Sequence, residues 1–486
     1  MIPGKTGALG LHPQEPLPVV IIGNGPSGIC LSYFLSGYRP YVREEVSHPN
    51  PILHRKLQEL SGQPLLEQDL EYLSEGLDGR TPSPLGLLFD ALVRPEGDLG
   101  GSAESLLTWR REPERSVAHL VLGKGPPGGA WQAMEGSMVT LSLGDWMEMP
   151  DLSFRDWITR RGRQLRNHRA TTRDVAQYYQ HYVEVKGLQE HFRCGALVTS
   201  VRALPPDPPL GAPSVAPGTA ASALYEIQGE LGEPEGGGGS PTPFRLYARN
   251  VVLATGTYDR PGRLGVEGEE LPFVTHSVAR LEGALRDRSL GPASQPLLVV
   301  GAGLTAADAV LIGRGAGVPV VHAFRRGARD PGLVFHQLPP VMFPEYHKVH
   351  AMMRAAQDGG QYPGYASLPR HRVLAFSPDG TCLLQDTHSG KTRPLRVAMA
   401  LVLVGSNPNL SFLPDEGRGL ALDPTRLISA TRNPLDTDPF SYEVTQRPGL
   451  YALGPLAGDG LVRFLQGGAM GVAASLLRKP GLTGTL

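Results

Sequence analysis

The chain of 486 residues carries 46 Lys and Arg against 47 Asp and Glu, a formal net charge of −1. With 41% hydrophobic and 19% charged residues it has the composition of a folded protein of two or three domains, and it lacks the basic excess that nucleic acid or an anionic membrane surface demands. No apolar run reaches the roughly 18 residues of a membrane-spanning helix, and the opening MIPGKTGALGLHPQEPLP lacks the charged start and apolar core of a secretory signal, so the expected location is cytoplasmic.

The first informative stretch is PLPVVIIGNGPSGICLSYFLSG, residues 16–37. Val19–Ile22 is a continuous apolar run, the pattern of a parallel strand buried on both faces. Gly23 suits the tight turn, Gly25 the close approach of backbone to a pyrophosphate, and Gly28 the packing of the next helix on the strand. Ile29–Leu35 reads as that helix, with its N-terminal amides facing the anion. The run VREE is expected to close a second strand, with Glu45, or its neighbour Glu44, accepting hydrogen bonds from a ribose hydroxyl pair.

Farther on, PPGGAW brings Trp131 behind two glycines, and LGDWMEMPD places Trp146 in the expected core, with Asp145 and Asp151 in turn or helix-capping positions. The arginine-rich run from Arg160 reads as a solvated face before a helix. Residues 203–243 are mostly a Pro/Gly/Ser insert around one strand pattern, ALYEIQGEL, and are expected to be flexible at their tips. Cys30, Cys194 and Cys382 stand far apart with no CxxC pair, which excludes a local redox dithiol.

The strand Val251–Ala254 then runs into Thr255 and Gly256 and is expected to lead the chain from one nucleotide domain to another. From residue 295 the first design is repeated: strand Leu297–Val300, Gly301, Gly303, Thr305 in the following helix, and Ala306 in the third glycine position. Here the second strand, VPVVHAF, ends in Arg325 and Arg326 instead of an acid. A guanidinium pairs bidentately with a 2′-phosphate that a carboxylate would repel, so this site reads as one for NADPH, a solvated strand end being the alternative. His347 and His350 share a helix face, but no further metal ligand is suggested and no metal site is expected. Ala400–Val404 is the return crossing, and the C-terminal strand Leu450–Leu453 leads through Gly454 and Asp459 into a small-residue helix. Asp459 is either a ribityl contact or a loop cap.

The expected architecture is α/β with two dinucleotide-binding, Rossmann-like domains. A first nucleotide domain is formed by residues 1–264 and 396–486, and an NADPH domain, 265–395, is inserted in it. The contacts expected in the first domain, for which the flavoprotein resemblance described next implies FAD, are Gly23, Gly25, Ser27, Gly28, Glu45, Trp131, Thr255, Gly256 and Asp459; the NADPH contacts are Gly301, Gly303, Thr305, Arg325 and Arg326.

The two glycine fingerprints, the ATG strand and the terminal strand–GP–GD–helix resemble the two-dinucleotide-binding flavoproteins, and PPGGAW is similar to the GGxW element of flavin-dependent class B monooxygenases. Over nearly its whole length the chain resembles the oxidative stress-induced growth inhibitor family. The strings that carry this include PVVIIGNGPSGICLSYFLSGYRPY, DLEYLSEGLDGR, FPEYHKVHAMMR and GPLAGDGLVRFLQGGA. The resemblance implies flavin- and NADPH-dependent monooxygenase chemistry on O2 and a nucleophilic nitrogen or sulfur substrate. It also implies a regulator of growth, cell death and cell division with protein partners. A regulatory flavoprotein with little turnover and an NADPH oxidase releasing hydrogen peroxide are the alternatives. The substrate and any catalytic side chain stay unidentified, because flavin chemistry depends on a shielded pocket more than on a spaced catalytic motif.

Overall fold

The structure, a computed structural model, describes residues 15–59, 62–99, 104–134, 138–165, 168–205, 224–232, 240–355 and 360–482. The chain forms two compact units, the first from Met1–Thr257 and Pro408–Leu486, the second from Tyr258–Asn407. The inserted unit thus begins seven residues earlier and ends twelve residues later than the 265–395 read from the sequence.

The chain opens with β1 (Leu17–Ile22), α1 (Pro26–Leu35) and β2 (Tyr38–Val42), then α2 (Pro84–Val93), β3 (Leu107–Arg111) and β4 (His119–Gly123). After α3 (Thr172–Val185) come β5 (Phe192–Cys194), β6 (Ala196–Leu204), β7 (Leu224–Leu231) and the long β8 (Thr242–Leu253). The second unit contains β9 (Val274–Thr275), β10 (Leu297–Val300), α4 (Leu304–Gly315), β11 (Val320–Phe324), α5 (Pro344–Ala355) and β12 (Tyr365–Pro369). It continues through β13 (His371–Phe376), β14 (Thr381–Asp386), β15 (Thr392–Arg396) and β16 (Met399–Val402). The chain then completes the first unit with β17 (Leu450–Ala452) and α6 (Val462–Leu477).

The first unit is built on a seven-stranded sheet in which β1 lies between β4 and β8, parallel to both. β5 flanks β4; the other edge of β8 pairs with β7 along its first half and with β17 along its second. The β1 run is apolar throughout because both of its faces are covered. Val19 and Ile21 pack into a layer with α1, α3 and α6, while Val20 and Ile22 face a second layer with Leu410, Phe412 and Leu456. Of the insert at 203–243, β7 lies over the strand pattern ALYEIQGEL, whereas residues 206–223 and 233–239 lie outside the described residues.

The second unit repeats this logic on a smaller scale. Its five-stranded parallel sheet runs β9–β16–β10–β11–β12. Leu297 and Val299 of β10 pack on α4 and α5, and Leu298 and Val300 pack on the antiparallel β13–β14–β15 sheet.

Candidate functional site

Each unit carries a glycine bend at the carboxyl end of its central strand, and the two bends have the same construction. Gly23 has φ +114°, and a Cβ there would lie 2.2 Å from the carbonyl oxygen of Ala254, which continues β8. Gly301 has φ +134°, and a Cβ there would lie 2.2 Å from the Leu403 carbonyl oxygen, which continues β16. A side chain is excluded at both positions by the left-handed backbone and by the neighbouring strand. Gly25 and Gly303 each precede the first helical residue with extended backbone (ψ −175° and 179°), and neither has a neighbour closer than 3.9 Å to a Cβ. This leaves the first amides of α1 and α4 open to an anion. Gly28 closes the first bend, since a Cβ there would be 2.1 Å from the Gly23 carbonyl oxygen; fully buried Ala306 has the corresponding place in the second.

The PPGGAW segment lies on the first bend. The Gly128 amide donates to the Asn24 carbonyl at 2.8 Å, the Asn24 side-chain amide donates to the Gly125 carbonyl at 2.7 Å, and a Cβ on Gly129 would sit 2.9 Å from the Gly25 Cα. Trp131, half-buried on the one-turn helix Ala130–Ala133, meets Tyr179 of α3 edge-on with centroids 6.4 Å apart. The other end of the chain reaches the same bend: Gly454 has φ +63°, and a Cβ there would be 2.4 Å from the hydroxyl of buried Ser27. Thr255 follows β8 with its hydroxyl oxygen buried and without a hydrogen-bond partner among the described residues, and Gly256 beside it has open space (φ +64°). An orphaned buried hydroxyl next to a bare glycine bend fits a bound dinucleotide that supplies the missing partner.

Glu45 is not part of this constellation. Among the described residues β2 pairs only with β3, antiparallel and outside the main sheet, and Glu44 and Glu45 lie exposed in the turn beyond it. Of the two strands that adjoin β1 in parallel, the first in the chain is β4, which ends at Gly123 and is followed by Lys124. A cation therefore occupies the position where a ribose-binding acid was expected.

Asp459 is 3% exposed, and its carboxylate accepts a hydrogen bond from the Tyr442 hydroxyl at 2.8 Å, which is 2.6 Å from the hydroxyl of Ser83, the residue capping α2. Burial pushes the Asp459 carboxyl up to about 7. Trp146 is partly buried against the core with the Arg463 guanidinium 4.7 Å above its ring, and Asp145 and Asp151 form ion pairs with Arg155 and Lys186. The arginine-rich run is not wholly a solvated face: Arg169 is 4% exposed and donates to the Thr140 carbonyl.

At the second bend, buried His322 of β11 bonds the Gly301 carbonyl oxygen through Nε2 at 2.6 Å, while Nδ1 lies 2.9 Å from the Tyr365 hydroxyl. Burial pulls the imidazole down to about 4, so it is neutral near pH 7, donating at Nε2 and accepting at Nδ1. Thr305, Arg325 and Arg326 are exposed. Arg326, however, donates to the Gly332 carbonyl and lies 3.8 Å from Asp330, so it braces its own loop. His347 and His350 bond separate carbonyls, those of Leu338 and Ala328. Sequence reasoning missed Asn24, Lys124 and His322. The signal for Lys124 was HLVLGKGPPGGAW, an apolar run entering the glycines directly, and Asn24 stood inside the GNGPSG fingerprint itself.

Residues 237–473, just under half of the chain, match the family model described as pyridine nucleotide-disulphide oxidoreductase. The human protein oxidative stress-induced growth inhibitor 1 is 54% identical over 474 residues, 97% of each chain. The chain belongs to the oxidative stress-induced growth inhibitor family. Two solved structures show the fold that this chain shares. The bacillithiol disulfide reductase of Staphylococcus aureus has a TM-score of 0.57 at 14% identity and is covered to 99%, against 96% of this chain. The ornithine hydroxylase of Pseudomonas aeruginosa has a TM-score of 0.53 at 13% identity with the same coverages. The chain thus has the two-dinucleotide-binding-domain architecture found in FAD- and NAD(P)-dependent oxidoreductases.

Proposed function

We propose that this protein is an FAD- and NADPH-dependent monooxygenase that inserts one oxygen atom of O2 into a nucleophilic nitrogen or sulfur of its substrate, and that this activity serves control of growth, cell death and cell division. The observation that carries the reading is the clasp of PPGGAW on the first glycine bend, beside the unpartnered Thr255 hydroxyl. Gly23, Gly25, Ser27, Gly28, Trp131, Thr255 and Gly256 would hold FAD in the first unit. Asp459, through Tyr442 and Ser83, positions the loop entering α6. Gly301, Gly303, Thr305 and Arg325 would hold NADPH in the second unit. When bound, the flavin supplies two-electron acceptance from NADPH and, once reduced, activation of O2.

The chain's own work is to place the diphosphate on open helix amides and to keep water from the ring. Cys30 and Cys382 are buried and Cys194 is exposed, all three unpaired. That arrangement offers no dithiol relay and favours oxygen over a disulfide as the electron acceptor.

The test is an absorbance spectrum of the purified protein, with NADPH and O2 consumption and peroxide release measured together. The reading expects bound FAD, NADPH oxidation, and less peroxide than NADPH consumed once a substrate is present. Protein that neither carries nor takes up FAD overturns it. One peroxide per NADPH under every condition would make the protein an oxidase, and bound FAD with no NADPH consumption would make it a regulatory flavoprotein.

A further inference from the structure

The anion-binding end of β11 is shared with the next strand. β11 and β12 run parallel with Phe324 opposite Pro369, so Arg325 and Arg370, the residues that immediately follow, leave adjacent strand ends side by side. The Arg370 amide donates to the Arg326 carbonyl at 3.1 Å, and the Arg370 carbonyl accepts from the Thr387 amide at 2.7 Å and the Thr387 hydroxyl at 2.8 Å. Arg370 itself has φ +57°, the left-handed region that a residue with a side chain adopts at a cost. Its guanidinium is folded over the bend after Arg326: a Cβ at Gly327 would lie 3.7 Å from Nε and 3.9 Å from one terminal nitrogen. Arg325 and Arg370 are both exposed, and neither has a hydrogen-bond or ion-pair partner for its guanidinium among the described residues. Arg326 is committed to Gly332 and Asp330.

Two planar cations at neighbouring carboxyl ends, one and two strands from the Gly301–Gly303 bend, would suit a compact dianion. The end of the second strand is where a dinucleotide's adenosine ribose is read. We propose that Arg325 and Arg370 together receive the 2′-phosphate of NADPH, and that Arg326 is a loop brace with no part in that contact. This inference rests on the second unit being the nicotinamide-nucleotide domain. It assigns selectivity for NADPH over NADH in part to β12, a strand outside the glycine fingerprint. A paired guanidinium clamp gives its affinity only to the phosphorylated nucleotide, because NADH offers those groups a neutral hydroxyl.

Calorimetric titration of the full-length protein with NADP+ and with NAD+ tests it without reliance on turnover. Glycine is the clean truncation at position 370, since it accepts the left-handed backbone. Arg370→Gly should weaken NADP+ binding about 10–30-fold and leave NAD+ binding unchanged. Arg370→Lys should lose part of that, Arg325→Ala should match Arg370→Gly, and Arg326→Ala should lower thermal stability with the NADP+/NAD+ ratio preserved. If Arg370→Gly keeps the wild-type ratio while Arg325→Ala or Arg326→Ala loses it, the pairing is wrong although the NADPH domain stands. If the wild-type protein binds neither nucleotide, the domain reading and this inference fall together.

Discussion

Single residues of the first bend divide into those that shape it and those that leave room. A Cβ on Gly28 would collide with the Gly23 carbonyl, whereas one on Gly25 would meet only the Gly129 Cα, at 3.9 Å. Gly28→Ala should therefore destabilise the flavin-free protein by about 1–3 kcal/mol in a denaturant titration. Gly25→Val should cost about 1 kcal/mol or less and abolish flavin content, read from the visible absorbance per mole of protein. Asp459 gives a pH signature at the same scale. Its carboxyl is raised from 3.8 to about 7, so between those values the native state holds a proton that the unfolded chain has released. Stability of the flavin-free protein should fall as pH rises across that window and level off above about 7. Asp459→Asn should flatten the profile, and an unchanged slope in the variant would assign the titration elsewhere.

At the scale of elements, the clasp between the first bend and PPGGAW rests on the Asn24 side chain and the Gly128 amide. Asn24→Ala should cost about 1 kcal/mol and speed FAD release, measured as recovery of flavin fluorescence after dilution; release at the wild-type rate would show that the segment is held by other means. The strands at both glycine bends were legible because burial on two faces makes a parallel strand apolar throughout. Leu297–Val300 matches β10 residue for residue, and Val19–Ile22 lies within β1. The second strand of the first unit was misread because Tyr38–Val42 is a genuine strand with an acid nearby. Only hydrogen-bond partners distinguish its side sheet with β3 from a place beside β1, and these are set by tertiary pairing. Arg326 posed a related difficulty. Its type and position suit a phosphate, but the Gly332 carbonyl that takes its donor lies in a loop whose path no periodicity reveals. Thr255 was legible as part of ATG, yet its orphaned hydroxyl emerges only once the packing around it is known.

At the scale of the molecule, the first unit is assembled from two chain segments, and one buried cation joins them. Arg463 at the start of α6 is 2% exposed; its Nε donates to Asp90 of α2 at 2.6 Å and its Nη1 to Asp98 at 2.8 Å. Arg463→Ala would leave Asp90 paired with Arg94 at 3.3 Å and the partly exposed Asp98 paired with Arg80 at 3.4 Å, and should cost about 1–3 kcal/mol in chemical denaturation, with Asp90→Asn in the same background recovering part of the loss. The interrupted order of the first unit also bears on how the protein is made. On the ribosome, the N-terminal segment emerges with the second half of the β8 edge bare and the α6 layer missing, and 150 residues of the inserted unit, Tyr258–Asn407, must be translated before the completing segment begins. At ordinary elongation rates that is a wait of roughly 8–30 s, during which an apolar sheet face is open to chaperones, while the contiguous inserted unit is free to fold first.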